Sequence, residues 1–178
     1  MRLLARVGSL NAVVTVLTGI SALYMLLVVF GNVTDYGSNE AFVKHVLAMD
    51  TTFKSPKTMW RAITSPAIVT VVYVLIIAWE ALTALVLTSA FVTWLRGRTQ
   101  TAARLSSTGW LMQVILFLGG FITIGGEWFV MWQSEHWNGL TAALQNVIVG
   151  AFGLVLVNLA QRQHAPAEPS ADRVEATV

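Results

Sequence analysis

One carboxylate interrupts an otherwise apolar stretch of the sequence: Glu80 lies near the middle of a run from about residue 67 to residue 95. A charged carboxylate at the centre of a bilayer costs at least about 2.5 kcal/mol, so such groups face a helix bundle, pair with another group or stay protonated. Glu80 could relay protons, contact a ligand or contact a partner helix, or it could bond to another helix for packing alone. We expect Gln113 to be its partner, because the two lie at similar depth if their segments are antiparallel spans.

A second set of chemically capable side chains falls in two polar segments that are predicted to lie outside the membrane. It consists of His45, Asp50, Arg61, Glu127, Trp128 and Trp132. Histidine and carboxylates together can bind a divalent metal or relay protons. His45 and Asp50 are five residues apart, however, which is a poor spacing for a preformed site on one helix face. The sequence therefore favours an outer lid held by salt bridges over a metal site. The expected salt bridges join Arg61 or Lys44 to Glu127 or Asp50.

Several kinds of chemistry are excluded by composition and residue placement. The chain has no cysteine, which rules out disulfides, thiolate metal sites and a cysteine nucleophile. A haem between helices would need histidines within the spans, but His45 and His136 lie in the outer segments and His164 in the tail. A net charge of +2 without a long basic run does not support nucleic-acid binding. We predict no catalytic residue, metal or cofactor, and a bound lipid or quinone stays open.

These side chains belong to a chain built for a membrane. Of its 178 residues, 56% are hydrophobic and 11% are charged, whereas soluble domains are about 25% charged. A spanning helix needs about 20 mostly apolar residues. Four stretches qualify, at about residues 9–30, 67–95, 108–132 and 140–160. Since lipid cannot satisfy an open strand edge, the sequence predicts an all-α membrane protein with one four-helix domain, residues 1–160, and a disordered cytoplasmic tail, residues 161–178.

The positive charges predict which side each loop faces, because cytoplasmic loops carry an excess of Lys and Arg. Seven of these residues lie in the two chain ends and in the loop after the second stretch, and four lie in the first outer segment. This bias places both termini in the cytoplasm. The charged start of the chain precedes an apolar run that is too long for a typical signal peptide, so we expect an uncleaved first span.

The first outer segment contains a predicted amphipathic helix. Apolar and polar side chains fall at helical spacing over residues 40–49, which indicates a short helix on the membrane surface. Ser38 or Asn39 is expected to cap its start. Ser65 followed by Pro66 is typical of a helix start and predicts where the second span begins.

Tryptophans and small residues predict how the spans sit and pack. Tryptophan prefers the membrane interface because its ring is apolar and its N–H needs a polar partner. We expect Trp94 and Trp110 at the inner interface. Four more are expected at the outer interface: Trp60, Trp128, Trp132 and Trp137. Gly150 and Gly153 predict close helix contacts, and Asn146 needs a hydrogen-bond partner on another helix.

Two segments of the sequence resemble a known family. One is FVKHVLAMDTTF at residues 42–53 followed by MWRAI, and the other is GGEWFVMWQS at residues 125–134 followed by WNG. Together they resemble the bacterial family of predicted small integral membrane proteins called domain of unknown function 2165, over about residues 10–160. The resemblance implies a four-span inner-membrane protein and carries no established activity. Because both motifs fall on the predicted outer face, we expect them to pack together as a cap, with tryptophan rings around a shallow cleft.

Three functions are compatible with these features. Short length and the lack of catalytic motifs favour a non-enzymatic accessory or scaffold subunit that contacts a larger membrane complex through its cap and spans. Its expected partners are membrane lipid and other membrane proteins, and not nucleic acid. One alternative is a transporter or channel for protons or a small solute that uses Glu80. The other is a redox or metal-dependent subunit with a site among His45, Asp50, Glu127 and His136.

Overall fold

The computed structural model describes residues 8–162, and this part of the chain is helical with connecting turns. Four of its helices are long and apolar enough to cross a membrane. They are α1 (Leu10–Thr34), α3 (Pro66–Leu95), α4 (Thr99–Val114) with its π-helical continuation (Ile115–Trp128), and α5 (Leu140–Arg162). The predicted all-α, four-span class is confirmed. The expectations for residues 1–7 and for the tail beyond residue 162 fall outside the described residues.

The boundaries of the spans differ from the predicted ones at their polar ends. The first span continues to Thr34 rather than ending at residue 30, and the third begins at Thr99 rather than at residue 108. The third also ends at Trp128 rather than at residue 132, and α5 runs two residues into the predicted tail, to Arg162. Hydropathy marks only the part of a helix that lies in hydrocarbon, while a helix continues into the headgroup region, where polar side chains are solvated.

The predicted amphipathic helix is present as α2 (Tyr36–Ala48), separated from α1 by Asp35 alone. It starts before Ser38 and Asn39, so the predicted caps are wrong; Asp35 occupies the cap position without a side-chain bond. The helix packs on α3, where the rings of Tyr36 and Tyr73 lie 4.8 Å apart. As predicted, α3 begins at Pro66, directly after Ser65. The amphipathic helix α2 lies beside the first turns of this second span.

The end of the bundle that holds the described chain ends, called here the terminal end, is closely packed. Trp110 is fully buried, and a Cβ added at Gly153 would overlap its indole ring. Its Nε1 donates to Ser21 Oγ at 3.1 Å, and Trp94 Nε1 donates to Ser106 Oγ at 3.0 Å. Both tryptophans are therefore buried between helices. Trp94 lies in the last turn of α3, at the end of the bundle where it was predicted, whereas Trp110 lies three turns into α4. Serine hydroxyls on neighbouring helices supply the polar partner that water or a headgroup would otherwise give.

The opposite end of the bundle is closed by a cap, which we define as residues 36–65 and 127–139. The two segments contact each other through a hydrogen bond of 2.8 Å between the hydroxyls of Thr51 and Ser134 and one of 3.0 Å from Phe53 N to Gln133 Oε1. The two sequence motifs thus pack together over one end of the bundle. Beneath them the π-helical continuation (Ile115–Trp128) has wider turns than an α-helix.

Candidate functional site

The buried carboxylate of Glu80 is held by the end of α1. Glu80 is 3% exposed, and Asn32 Nδ2 donates to its Oε2 at 2.6 Å. Tyr73, two turns closer to the cap on α3, donates its hydroxyl to the backbone carbonyl of Asn32 at 3.1 Å. The predicted partner Gln113 is wrong. The longer α1 brings an amide to Glu80 from the first span, which the predicted end at residue 30 did not include.

Gln113 belongs to a separate polar cluster on the other side of α4. Its Nε2 donates to the backbone carbonyl of Asn146 at 3.1 Å and to its Oδ1 at 3.2 Å. Asn146 Nδ2 in turn donates to the hydroxyl of Tyr24 at 3.0 Å. On the side of α4 that faces α3, Trp79 of α3 donates its Nε1 to the carbonyl of Met112 at 2.9 Å. Gln113 therefore lies on the face of α4 that is turned towards α5 and away from Glu80.

Polar side chains connect the cap with Glu80 along the contact between α2 and α3. Thr70 donates to Glu40 Oε1 at 2.8 Å, and the Tyr36 ring lies against Tyr73. Burial, together with the neighbouring Glu40 carboxylate, raises the pKa of Tyr36. Beyond Glu80, towards the terminal end, the buried side chains include Ala84, Leu87 and Trp110. The polar groups thus reach Glu80 from the cap side. The core beyond it contains the buried hydroxyls of Thr18, Ser21, Thr83 and Ser106, but no further buried acidic or basic side chain within residues 8–162.

In the cap, His45 and Asp50 form the one salt bridge found within residues 8–162. His45 Nδ1 lies 2.8 Å from Asp50 Oδ2, and the imidazole stacks on Trp137 with ring centres 4.4 Å apart. The pair forms because α2 ends at Ala48 and the next residue, Met49, has a left-handed φ of 52° that turns the chain back towards His45. In the same described range no three His, Asp or Glu side chains are placed to hold a metal ion.

Arg61 is held by two tryptophans and not by an acidic residue. Its guanidinium carbon lies 4.8 Å from the ring centre of Trp128 and 5.5 Å from that of Trp60. Nη1 donates to the carbonyl oxygen of Trp128 at 3.2 Å, while the buried Nε has no hydrogen-bond partner among the atoms described. The predicted salt bridges of Arg61 and Lys44 with Glu127 or Asp50 are therefore wrong. Aromatic rings flank the guanidinium, and the Glu127 side chain is exposed.

Four large aromatic side chains are exposed on the cap, and two of them, Trp60 and Trp128, contact Arg61. Phe53 is 73% exposed and Trp60 69%, and Trp128 and Trp132 are about half exposed. They form two edge-to-face pairs, Trp60 with Trp128 at 5.6 Å and Phe53 with Trp132 at 5.9 Å between ring centres. We call Phe53, Trp60, Arg61, Trp128 and Trp132 the aromatic face. Its pairwise ring contacts hold it in shape in the absence of a partner.

Two clefts lie within the bundle, and a third, shallow cleft is open at the surface beside Trp128. An apolar cleft of about 180 Å³ lies beneath α2, with Phe42, Phe121 and Phe129 in its wall. A second cavity, of about 290 Å³, lies between α1, α4 and α5 and includes the Gln113 cluster. The shallow cleft is lined by Glu127, Trp128 and Phe129, so Trp128 is at a cleft as predicted. Trp60 and Trp132, which were also expected there, belong to the exposed aromatic face.

Some residues of these sites were missed at the level of sequence. Asn32 lies outside the predicted first span, and Tyr24 and Tyr73 are not among the predicted site residues. A polar amide directly after an apolar stretch, as at Asn32, is a signal that the span continues to a buried partner. Phe53 could not be recognised as exposed, because an apolar residue in a short loop is as often buried as exposed.

The family model of predicted small integral membrane proteins, domain of unknown function 2165, matches residues 10–160 of the chain. The matched range includes the cap, the spans α1, α3 and α4 with its π-helical continuation, and all but the last two residues of α5. No curated protein and no solved structure matches the chain significantly.

Proposed function

Because the chain belongs to this family of predicted small integral membrane proteins, we propose that it is an accessory or scaffold subunit that contacts a larger membrane complex. The contact is made through the cap, with the aromatic face at its centre. The partner is a membrane protein that offers an acidic side chain to Arg61. The observation that carries this proposal is the aromatic face itself: four exposed aromatic side chains, two of which contact a cation that has no acidic partner within residues 8–162.

The composition of the aromatic face supports a protein partner. Trp and Arg dominate the small number of residues that carry most of the binding energy in protein interfaces. The rings of the face already pack in pairs, and Arg61 is fixed by the carbonyl of Trp128. Association then costs less side-chain entropy, since these groups are ordered before the partner arrives. A carboxylate beside Arg61 would also give the guanidinium a counter-charge and a charge-assisted hydrogen bond, which no acidic residue within residues 8–162 supplies.

Site-specific photocrosslinking in native membranes tests the proposal. A photoreactive residue at position 60 should give one discrete adduct with a different membrane protein, and the adduct should map to an acidic segment of that protein. The matched control carries the same group at Phe152, which is 66% exposed on the lipid-facing side of α5 and remote from the cap. Adducts with lipid alone, or with a second copy of this chain alone, at position 60 would contradict the proposal.

A second candidate function is movement of protons or a small solute through Glu80. The polar groups that reach Glu80 from the cap favour it, and the lack of a further buried acidic or basic side chain beyond Glu80 within residues 8–162 weighs against it. Proton flux into liposomes that contain the purified protein is the test. Glu80→Gln keeps a hydrogen-bond acceptor for Asn32 but cannot release a proton, so flux that is abolished by this change supports transport, and equal flux in both proteins rejects it.

We further propose that the protein lies in an inner membrane with the terminal end in the cytoplasm. The support is the distribution of Lys and Arg, seven on the terminal side of the membrane and four on the cap side. The chain has no native cysteine, so single-cysteine variants report the side cleanly. A cysteine at Ser38 should react with a membrane-impermeant maleimide in intact cells, and one at Thr99 should react only after lysis. The reverse pattern would overturn the orientation.

A further inference from the structure

The cavity between α1, α4 and α5 is polar at its floor and apolar at its mouth. It has a volume of about 290 Å³ and is lined by Ser21, Tyr24, Gln113, Gln145 and Asn146 together with two apolar side chains, Ile20 and Val149. These two are about half exposed, at 60% and 49%, on helices that face lipid. The cavity therefore opens sideways, between two spans, towards the bilayer.

Two amide groups of this cavity lack the hydrogen bonds that burial in a membrane demands. Gln113 is 1% exposed, and its Oε1 has no hydrogen-bond partner among the described atoms. The side chain of Gln145 is exposed on the lipid-facing side of α5, and it makes no hydrogen bond within residues 8–162. An amide without a partner in an apolar medium costs several kcal/mol. A bound molecule with polar groups would supply the missing hydrogen bonds to both amides.

The residues of the cavity define the chemistry of that molecule. No Asp, Glu, His, Lys or Arg lines it, so an ionised ligand would be buried without a counter-charge, which is strongly unfavourable. Gln113 Oε1 requires a donor, while the amide nitrogen of Gln145 requires an acceptor. A hydroxyl group supplies both. Water also does so, but filling this volume would take about ten water molecules against a partly apolar wall.

We propose that this cavity binds an uncharged lipid that carries a free hydroxyl group. The hydroxyl lies among Gln113, Gln145 and Tyr24, and the hydrocarbon chain leaves through the mouth between Ile20 and Val149. Gln145 lies five residues into α5, about 8 Å from the cap end of that helix. This depth suits the polar end of an amphiphile whose chain occupies the bilayer. The site is remote from the aromatic face, so its test does not depend on the proposed partner contact.

The test uses the full chain in phosphatidylcholine liposomes with two photoreactive probes of equal length. One is a long-chain alcohol with a diazirine near its hydroxyl, and the other is the corresponding alkane. The alcohol should label peptides that contain Tyr24 or Gln145 about tenfold more than the alkane does, because only the alcohol gains hydrogen bonds in the cavity. Excess unlabelled alcohol should compete for this labelling.

Variants of α5 separate the cavity from the rest of the lipid-facing surface. Gln145→Leu removes an exposed amide and should reduce labelling by the alcohol about tenfold without unfolding the protein. Val149→Phe fills the mouth and should abolish labelling at Tyr24. The matched control is Asn158→Leu, which removes an exposed amide from the same helix. Asn158 bonds to the carbonyl of Leu154 in its own helix at 2.7 Å, so this change should leave labelling as it is.

Three results would overturn the proposal. One is equal labelling by the alcohol and the alkane, which would mean that the cavity holds water or unspecific lipid. Another is unchanged labelling in Gln145→Leu with normal labelling in the control. The third is a disulfide-linked dimer formed in membranes by Val149→Cys, since the chain has no other cysteine and a second copy would then cover the mouth.

Discussion

The terminal half of the bundle and the half beneath the cap differ in how closely their side chains pack. Towards the terminal end, helices touch through glycine, and the hydroxyls of Thr18 and Ser106 bond to each other at 3.1 Å. At the opposite end, the structure has a cleft of about 180 Å³ beneath the cap and, in the cap itself, an arginine with no acidic partner among residues 8–162. The comparison teaches that the tightest glycine contacts, at Gly109 and Gly153, lie in the terminal half, although the half beneath the cap has a buried core of its own. The half beneath the cap keeps open volume and unused hydrogen-bonding groups that are suited to binding.

Buried polar atoms without a hydrogen-bond partner lie at the two proposed binding sites, with one exception. Within the described part of the chain there are three such atoms: Arg61 Nε, Gln113 Oε1 and Thr88 Oγ1. The first belongs to the proposed partner contact and the second to the proposed lipid cavity. Thr88 lies towards the terminal end of α3, and nothing in the structure explains it.

The largest effect is expected where the terminal half is tightest. Gly153→Ala should lower the free energy of unfolding by about 3 kcal/mol, because the added Cβ overlaps the Trp110 indole and the core cannot move aside. The matched control is Gly119→Ala on the cap side, where a Cβ meets nothing within 4 Å. Denaturant unfolding in mild detergent measures both. Equal losses in the two variants would remove the proposed contrast between the halves.

The buried carboxylate provides the next largest effect. Glu80→Leu should cost about 2 kcal/mol, because it leaves the amide of Asn32 without its acceptor in a buried place. Glu80→Gln should cost less than half as much, since its carbonyl oxygen can accept the same hydrogen bond. The same unfolding assay measures both changes. If Glu80→Gln were as unstable as Glu80→Leu, the negative charge and not the hydrogen bond would hold α1 to α3.

The architecture could be predicted from sequence because it depends on local composition. Four apolar runs, the amphipathic pattern of α2 and the Ser65–Pro66 start are each contained in a short segment, and each is present in the structure. Helix ends such as Thr34 and Thr99 were predicted less well. They lie where side chains become polar but the backbone remains helical, so hydropathy loses the signal before the helix ends.

Pairing between distant residues could not be predicted from sequence. Glu80 was recognised as a buried polar group, but its partner depends on how far α1 extends and which face it turns to α3. Arg61 was expected to pair with an acid, but the fold places tryptophans on both sides of it. Opposite charges are a weak guide in a cap, because aromatic rings compete for the same guanidinium.

The aromatic face is expected to contribute little to stability and much to association. Arg61→Met should lower the free energy of unfolding by about 1 kcal/mol, through loss of its contacts with two indoles. The same change should remove the crosslinked adduct at position 60 and shift the tryptophan fluorescence. Glu127→Gln is the control: Glu127 is exposed and forms no salt bridge in residues 8–162, so both readouts should stay unchanged. An intact adduct in Arg61→Met would separate Arg61 from the partner contact.

The smallest effect is expected for the exposed salt bridge of the cap. Asp50→Asn should change the free energy of unfolding by about 0.5 kcal/mol or less, because the side chains of His45 and Asp50 are 30% and 44% exposed and solvent screens such pairs. A double-mutant cycle with His45→Gln isolates their coupling from the stacking of His45 on Trp137. Coupling above about 2 kcal/mol would exceed what an exposed pair supplies. It would mean that the cap, and not only the terminal half, is built for stability.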